Sequence, residues 1–562
     1  MRARLLSVLS FLLILPFLPQ SHLKAQQGEL AFIHGDTHAF LVRRQLAGGL
    51  DQAFLSNQPL SRLQVAAYLD SLGTSYRAMS STDQARFARL YAPRDAAAFQ
   101  SVGPFYTNGQ DFLHTRSADY TLALNPLLGI GLMTSRQSER DDVAGSTNEP
   151  FYHRGARLSG TLRGRWYFDA TVMENVVTPP PYLLDETRQR INGTKRADQG
   201  RQLDYLTASS VIGYRGPYIE ARIGRSTQHW GPGRTSLLLS NHGAPHDFVQ
   251  VRATLGPVQY TTHYASFVDL VQPKIEGVPG SQPFRYGVFH RLTFRPSGRL
   301  EIAAFEGLIL APNAEERSLG FFATYLNPLI FLRAVDFDAG SPGNALVGID
   351  VQWIPMAGVA LSAQAFLDEL DFDRIFAEPD WWNNKNGWQL GALFMLPQLP
   401  TLDVGFSYSR ARPYAYDNRS PSLAYVSGFG YLAHPLGANL SEVTLYGTWR
   451  PTPRWTADAT LIYSAQGQNP LAPNAADFAN YGADPFLPYD FRRPGDYVPL
   501  LDGERVDRLT VDASIAYELL PSVRLRTRLL ADAQTPETLS ATRTLAVILS
   551  LEAGLRTPRL FH

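Results

Sequence analysis

The chain has 562 residues, with 51 basic and 51 acidic side chains, 12% aromatic residues and no cysteine. The missing thiols exclude disulfides, thiolate metal sites and a lipid-anchored precursor, and the balanced charge argues against a nucleic-acid partner, which calls for a basic excess. Beyond the N-terminus no stretch reaches the roughly 18 apolar residues that a membrane helix needs.

Residues 1–25 read as a secretory signal. Arg2 and Arg4 lead, Leu5 to Leu18 supply the apolar core, and Ala25 offers a cleavage position. Its removal takes Arg2, Arg4 and Lys24, leaving the charge close to balance. Residues 26–115 differ in kind from the rest of the chain. Ser61-Arg62-Leu63-Gln64 is a capping box, and the helix behind it places Val65, Leu69 and Leu72 on one face. Ser81-Thr82-Asp83-Gln84 repeats the device ahead of Phe87 and Leu90. A small helical unit is expected here.

From residue 116 to 562 extended segments dominate, joined alternately by tight turns and by polar loops of roughly 10–40 residues. The tight turns are Arg163-Gly164-Arg165, Arg215-Gly216-Pro217, Gly256-Pro257, Arg295-Pro296-Ser297-Gly298, Pro355-Met356-Ala357-Gly358, Pro397-Gln398-Leu399-Pro400, Pro451-Thr452-Pro453 and Pro521-Ser522. Between them the segments alternate with period two, the mark of a two-faced wall. Leu158, Gly160 and Leu162 take one face, and Arg157, Ser159, Thr161 and Arg163 the other. Trp166, Phe168, Ala170 and Val172 oppose Tyr167, Asp169 and Thr171. A soluble sandwich also alternates. Aromatic residues beside the tight turns (Trp166, Tyr214, Tyr218, Trp353, Trp449, Trp455, Tyr517) favour a membrane, where such rings sit at headgroup level.

One opening strand near Tyr120–Asn125, eight hairpins and a closing strand near Thr544–Ala553 make about 18 strands, an even number that keeps both barrel ends on the periplasmic side. The expectation is an all-β transmembrane antiparallel β-barrel in the outer membrane. The helical unit then becomes a periplasmic plug, or a docking module for periplasmic export machinery. The inner face is rich in charge: Arg163, Asp169, Glu220, Arg222, Arg252, Asp350, Asp403, Glu442, Asp458, Asp512, Arg524, Arg526 and Arg528. Mutual neutralisation across a filled lumen is expected there, ahead of an ion or sugar pathway.

The loops carry the candidates for chemistry. His229, His242 and His246 lack a tight ligand spacing, and no activating third group accompanies a Ser–His pair, so neither a metal centre nor a hydrolase is the leading reading. The run Trp230-Gly231-Pro232-Gly233 followed by Ser236-Leu237-Leu238-Leu239-Ser240-Asn241 resembles the most distinctive stretch of the capsule-assembly Wzi family. His290-Arg291 with Phe305-Glu306, Tyr325-Leu326-Asn327-Pro328, Gln364 to Asp368, Arg412-Pro413-Tyr414-Ala415-Tyr416 and His434-Pro435-Leu436-Gly437-Ala438-Asn439 resemble further pieces of it, in order. His229 departs from the pattern, which often has a second tryptophan there.

The resemblance implies an occluded outer-membrane barrel with a periplasmic helical bundle, and a lectin-like role in holding capsular or other exopolysaccharide at the cell surface. Such a role needs flat aromatic faces for pyranose rings and planar polar groups for hydroxyls. The polysaccharide-binding candidates are Trp230, Asn241 and His242; Trp381, Trp382, Asn383 and Lys385; and Arg412, Tyr414 and Tyr416. No enzymatic reaction and no cofactor is expected. A diffusion channel is the alternative function. Arg188, Arg190, Lys195, Arg196 and Arg201 in the 184–202 loop would meet polyanions, including lipopolysaccharide phosphate; Phe305-Glu306, Asn327 and Asp368 read as structural hydrogen-bonding positions.

Overall fold

The computed structural model describes residues 35–91, 104–107, 111–139, 142–143, 147–179, 195–196, 202–273, 282–311, 325–328, 343–369, 374–470, 479–520 and 522–554. The expected signal segment, most of the 184–202 loop and Phe561 lie outside them.

Among the described residues, 21 strands belong to one closed antiparallel sheet. Three of these are short additions: Leu113–Arg116, Asp142–Val143 and Lys195–Arg196. The other eighteen form the ring. They begin with β1 (Tyr120–Glu139), β2 (Thr147–Leu162), β3 (Trp166–Val177), β4 (Leu203–Arg215), β5 (Ile219–Ser226) and β6 (His246–Leu255). Next come β7 (Val258–Val268), β8 (Phe284–Ser297), β9 (Leu300–Leu310), β10 (Gly343–Met356), β11 (Val359–Glu369) and β12 (Lys385–Phe394). The ring ends with β13 (Leu402–Ala411), β14 (Leu440–Thr452), β15 (Trp455–Gln468), β16 (Glu504–Leu520), β17 (Val523–Pro536) and β18 (Thr542–Ala553). β18 pairs with β1 from Thr542↔Glu139 to Ala553↔Leu128, which closes the ring and leaves no open edge for lipid to meet.

Alternation gives the wall its two faces. In β2, Arg157, Ser159 and Thr161 are buried inward, whereas Leu158 and Leu162 are exposed outward. In β18, Ala546 and Ile548 are buried while Leu545, Val547, Leu549 and Leu551 are exposed. Trp353, Trp449, Trp455 and Tyr218 are exposed beside the tight turns. An apolar outer band with aromatic residues at its border is what a bilayer selects, and the chain is a transmembrane β-barrel of the outer-membrane type. β1 is far longer than the six residues expected at 120–125. Pro126, Gly129 and Gly131 interrupt the apolar alternation that Leu128, Ile130 and Leu132 continue. Both barrel ends lie at the tight-turn rim: Gly554 N donates to Ser522 O, and Arg163 N to Asp119 O.

Opposite charges meet inside the barrel. Arg157 pairs with Asp169 at 2.6 Å, Arg252 with Glu220 at 3.3 Å, and Arg291 with Asp350 at 2.8 Å. Arg526 reaches Glu552 at 3.4 Å and Arg508 reaches Asp532 at 2.7 Å. Arg163 departs from the inward list. It sits in the tight turn at φ 49°, where the chain reverses and the strand alternation no longer sets its direction.

Three helices occupy the tight-turn end: α1 (Asp36–Leu46), α2 (Arg62–Leu72) and α3 (Ser81–Tyr91). The capping box at Ser61 and Gln64 is formed on both sides. The second cap falls one residue earlier than expected: Asp83 N donates to Ser80 Oγ at 3.1 Å, so Ser80, not Ser81, caps α3. Leu41, Leu46, Val65, Leu69, Leu72 and Phe87 pack with Ile354, Ala360 and Met395 of the barrel rim. Arg43 donates to Asp403 at 2.6 Å, and Arg450 reaches the same carboxylate at 2.8 Å. The helices are therefore fastened into the mouth. The segment Leu113–Arg116 pairs with Thr121–Leu124 of β1 and so joins the barrel sheet.

Candidate functional site

Two segments meet inside the lumen. Between α1 and α2 the chain rises from the tight-turn end, and Asn57 Nδ2 donates to Thr261 of β7 at 2.8 Å. From the other end, the β5–β6 connection turns inward. Asn57–Gln58 and His229–Trp230 form a two-stranded antiparallel sheet. Gly231 N donates to Ser56 O at 2.8 Å, and Arg252 Nη2 donates to Asn57 Oδ1 at 2.9 Å. Gly231 holds φ +129°, and a Cβ there would lie 2.0 Å from Gln364 Nε2, so the turn requires glycine. Trp230 is fully buried, edge-on to Phe289 and Phe305 and near His263. With Leu237, Leu238, Leu239, Phe366 and Tyr416 it forms an apolar core inside the barrel. The lumen at this height is filled by side chains.

Above that core the long loops are laced together. Tyr416 and Tyr425 donate their hydroxyls to Leu237 O and Leu238 O at 2.9 and 2.7 Å. Asp368 accepts from Tyr416 N at 2.7 Å, and Gln364 accepts from Leu237 N at 3.0 Å. Arg412 donates to Asp380 at 2.9 Å and to Val498 O at 2.8 Å, and Tyr414 donates to Asn480 O at 2.7 Å. Asn439 places its Nδ2 within 3.0 Å of Gly467 O, Tyr481 O and Asp502 O, and accepts from Leu501 N at 2.7 Å. Burial pushes the Tyr416, Tyr425 and Tyr431 phenols well above their ordinary range. They remain neutral donors.

The expected site residues divide accordingly. Trp230, Lys385, Arg412, Tyr414 and Tyr416 are buried and bring four loops together, so they present almost no surface to a ligand. The reason lies in their amphipathic chemistry: the traits that suit a sugar also let a side chain fill a core while its polar tip finds a partner. Trp381, Trp382 and Asn383 are half-buried on the outer side. Arg374 covers the Trp381 ring at 4.6 Å and Arg492 the Trp382 ring at 4.1 Å, while Tyr489 lies 5.4 Å from Trp382. One face of each indole is thus taken by a guanidinium. Asn241 is half-buried, and His242 lines a pocket.

That pocket, about 460 Å³, opens among the β5–β6, β13–β14 and β15–β16 loops. Phe429 and Phe486 stand edge to face with centroids 6.1 Å apart, and Phe429 is 49% exposed. Tyr431, Pro435 and Leu436 continue the apolar wall, while Gln466, Gln468, Asn469, Asp484 and Arg508 supply amide, carboxylate and guanidinium groups. Several are pre-oriented: Gln466 Nε2 donates to Leu436 O at 2.7 Å, Gln468 Nε2 to Gln466 Oε1 at 3.0 Å, and Asp484 Oδ1 accepts from Phe486 N at 2.9 Å. Of the expected candidates only His242 lines this pocket. Phe429 and Phe486 were missed because they come from different loops and meet only in the fold; the sequence signal available was the aromatic density of Tyr481, Phe486, Tyr489 and Phe491 in one loop and of Tyr425, Phe429 and Tyr431 in another. Among the described residues no cluster of three or more His, Asp or Glu is placed to hold a metal ion.

The architecture defined here, an 18-strand ring with helices fastened into one end and an aromatic pocket among the loops at the other, is that of an outer-membrane β-barrel. The chain has the fold of Wzi, an outer-membrane carbohydrate-binding β-barrel involved in group 1 capsule assembly in Escherichia coli. The TM-score is 0.57 at 15% identity, and the match covers 94% of this chain and 100% of that one. OprD of Pseudomonas aeruginosa also aligns, with TM-score 0.38 at 10% identity over 76% of this chain and 95% of its own. OpdG of the same organism aligns with TM-score 0.41 at 12% identity over 76% and 98%. No family model and no curated protein matches the sequence.

Proposed function

We propose that the chain is an outer-membrane lectin that holds capsular or exopolysaccharide at the cell surface without chemical change to it. The observation that carries this reading is the outer pocket of about 460 Å³, where exposed aromatic edges stand beside fixed amide and carboxylate groups. A pyranose ring offers C–H faces to such rings and hydroxyls to such groups. The filled lumen beneath supports retention at the surface rather than passage. Trp381, Trp382 and Asn383, fed by the same β15–β16 loop through Tyr489 and Arg492, form a flanking surface for the polymer.

The test is binding of surface polysaccharide from the protein's own source to the purified, detergent-solubilised barrel. Phe429→Ala and Phe486→Ala are each expected to weaken binding by a few-fold to about tenfold, the worth of one aromatic contact. The double replacement of Trp381 and Trp382 by Ala is expected to weaken it less, because guanidinium groups already cover those rings. Unaltered binding in both phenylalanine variants, with heat-modifiable gel migration intact, would remove the pocket from the reading. Binding lost only in the tryptophan variant would move the site to the flanking surface.

A further inference from the structure

We propose that the outside of the barrel carries a seat for one phosphorylated lipid of the outer leaflet, with an acyl chain in a trough beside the closing seam and phosphate on two arginines. A cavity of about 350 Å³ opens where β16, β17, β18 and β1 lie side by side. Its floor is Ala531 and Ala533 of β17. The register sets Val511 and Leu545 opposite Ala531, and Leu509 and Arg543 opposite Ala533. Each methyl thus lies between larger side chains on both neighbouring strands, and a trough follows β17. Leu509 and Leu545 are exposed, so the trough is on the face turned to lipid. Asp532, between the two alanines, turns inward and accepts from Arg508 and Thr510 at 2.7 and 2.6 Å. The floor therefore carries no charge.

The two arginines cap one end. Arg136 of β1 stands opposite Leu545, and Arg543 of β18 stands opposite Ser138. Both are exposed and lie close to the long-loop ends of their strands. Among the described residues neither has a carboxylate partner. The carboxylate on the same face of β16, Asp507, is already held by Arg505 at 2.9 Å and by Tyr463 at 2.7 Å. Cations toward the loops and grease toward the turns is the polarity of an outer-leaflet lipid. A guanidinium at the border of the hydrocarbon layer wants an anion, and its planar fork fits phosphate. Inorganic phosphate would leave the trough empty, and in a zwitterionic lipid the lipid's own ammonium competes with the arginines for the phosphate; a phosphorylated, multiply acylated lipid satisfies both halves.

The experiment is native mass spectrometry of the full-length protein in neutral detergent, titrated in turn with bis-phosphorylated lipid A, phosphatidylethanolamine and inorganic phosphate. One lipid A molecule is expected to stay bound, with at least tenfold weaker retention in the double variant R136Q/R543Q. A531F, which blocks the trough and leaves both arginines in place, is expected to weaken it as well. The arginines are exposed, so their replacement keeps the test valid even if A531F fails to fold; heat-modifiable migration reports folding in each case. Equal retention of phosphatidylethanolamine, undiminished lipid A retention in R136Q/R543Q, or equally tight binding of inorganic phosphate would overturn the proposal.

Discussion

Asp417 has a carboxyl group where water does not reach. It is fully buried in the loop cap, and the ammonium of Lys385 lies 3.4 Å from its backbone carbonyl. Burial drives its pKa well above the ordinary carboxylate range; Lys385 opposes this, and Asp368 and Asp484 add to it. The sign is set by linkage. A carboxyl that is harder to ionise in the folded cap contributes stability fully below the pKa of the unfolded chain, and that stability is lost as pH rises toward the folded value. The cap should therefore gain thermal stability as pH falls from neutral. Asp417→Asn should flatten this dependence and raise stability at neutral pH, as read from the temperature at which gel migration changes between pH 5 and 8. An unchanged pH profile in that variant would assign the effect to other groups. Nothing in the sequence announced this residue's burial. Asp417 comes after Tyr416 in a loop rich in polar groups, and only the packing of four loops shows which of them are enclosed.

At the scale of elements, local signals were legible where one residue settles one geometry. The Ser61 capping box is formed as expected because its two bonds are made within four residues. Ser61→Ala should cost about 0.5–2 kcal/mol, measured as a lower unfolding temperature of the helical unit by circular dichroism; no change would mean that the rim contacts alone hold α2. Gly231 is a second such position. Gly231→Ala demands a strained backbone and a shift of Gln364, at roughly 1–3 kcal/mol, and should loosen the lumen sheet. Faster proteolysis near residues 56–58 would report it, whereas a wild-type digestion pattern would not fit. The strands were equally readable from turns and alternation, with β1 cut short by its glycines. The identity of pocket-lining rings was not readable, since Phe429 and Phe486 come from different loops and meet only when the barrel curves them together.

For the whole molecule, the plug and the cap decide what the barrel is for. The fold, the closed ring and the N-terminal helical unit were legible in the sequence because period-two alternation, turn chemistry and helix caps are short-range patterns. How the lumen is filled was not, because it depends on Asn57 finding Trp230 across the chain. The intact protein is expected to give no sustained current in planar bilayers, and removal of residues 36–91 to raise conductance. A steady open level from the intact protein would favour the diffusion-channel reading.

The short sheet shared by Asn57–Gln58 and His229–Trp230 also has a consequence for biogenesis. The first strand partner is made early by the ribosome, and the second lies beyond five barrel strands. Trp230 in turn bonds Leu239, and Ser240 N bonds Leu432 O next to the pocket wall. Through these bonds the outer recess is tied to the amino-terminal segment, and it is expected to reach its final shape only after that segment has entered the cylinder. The outer end is then expected to be completed last, once the inner stopper is seated.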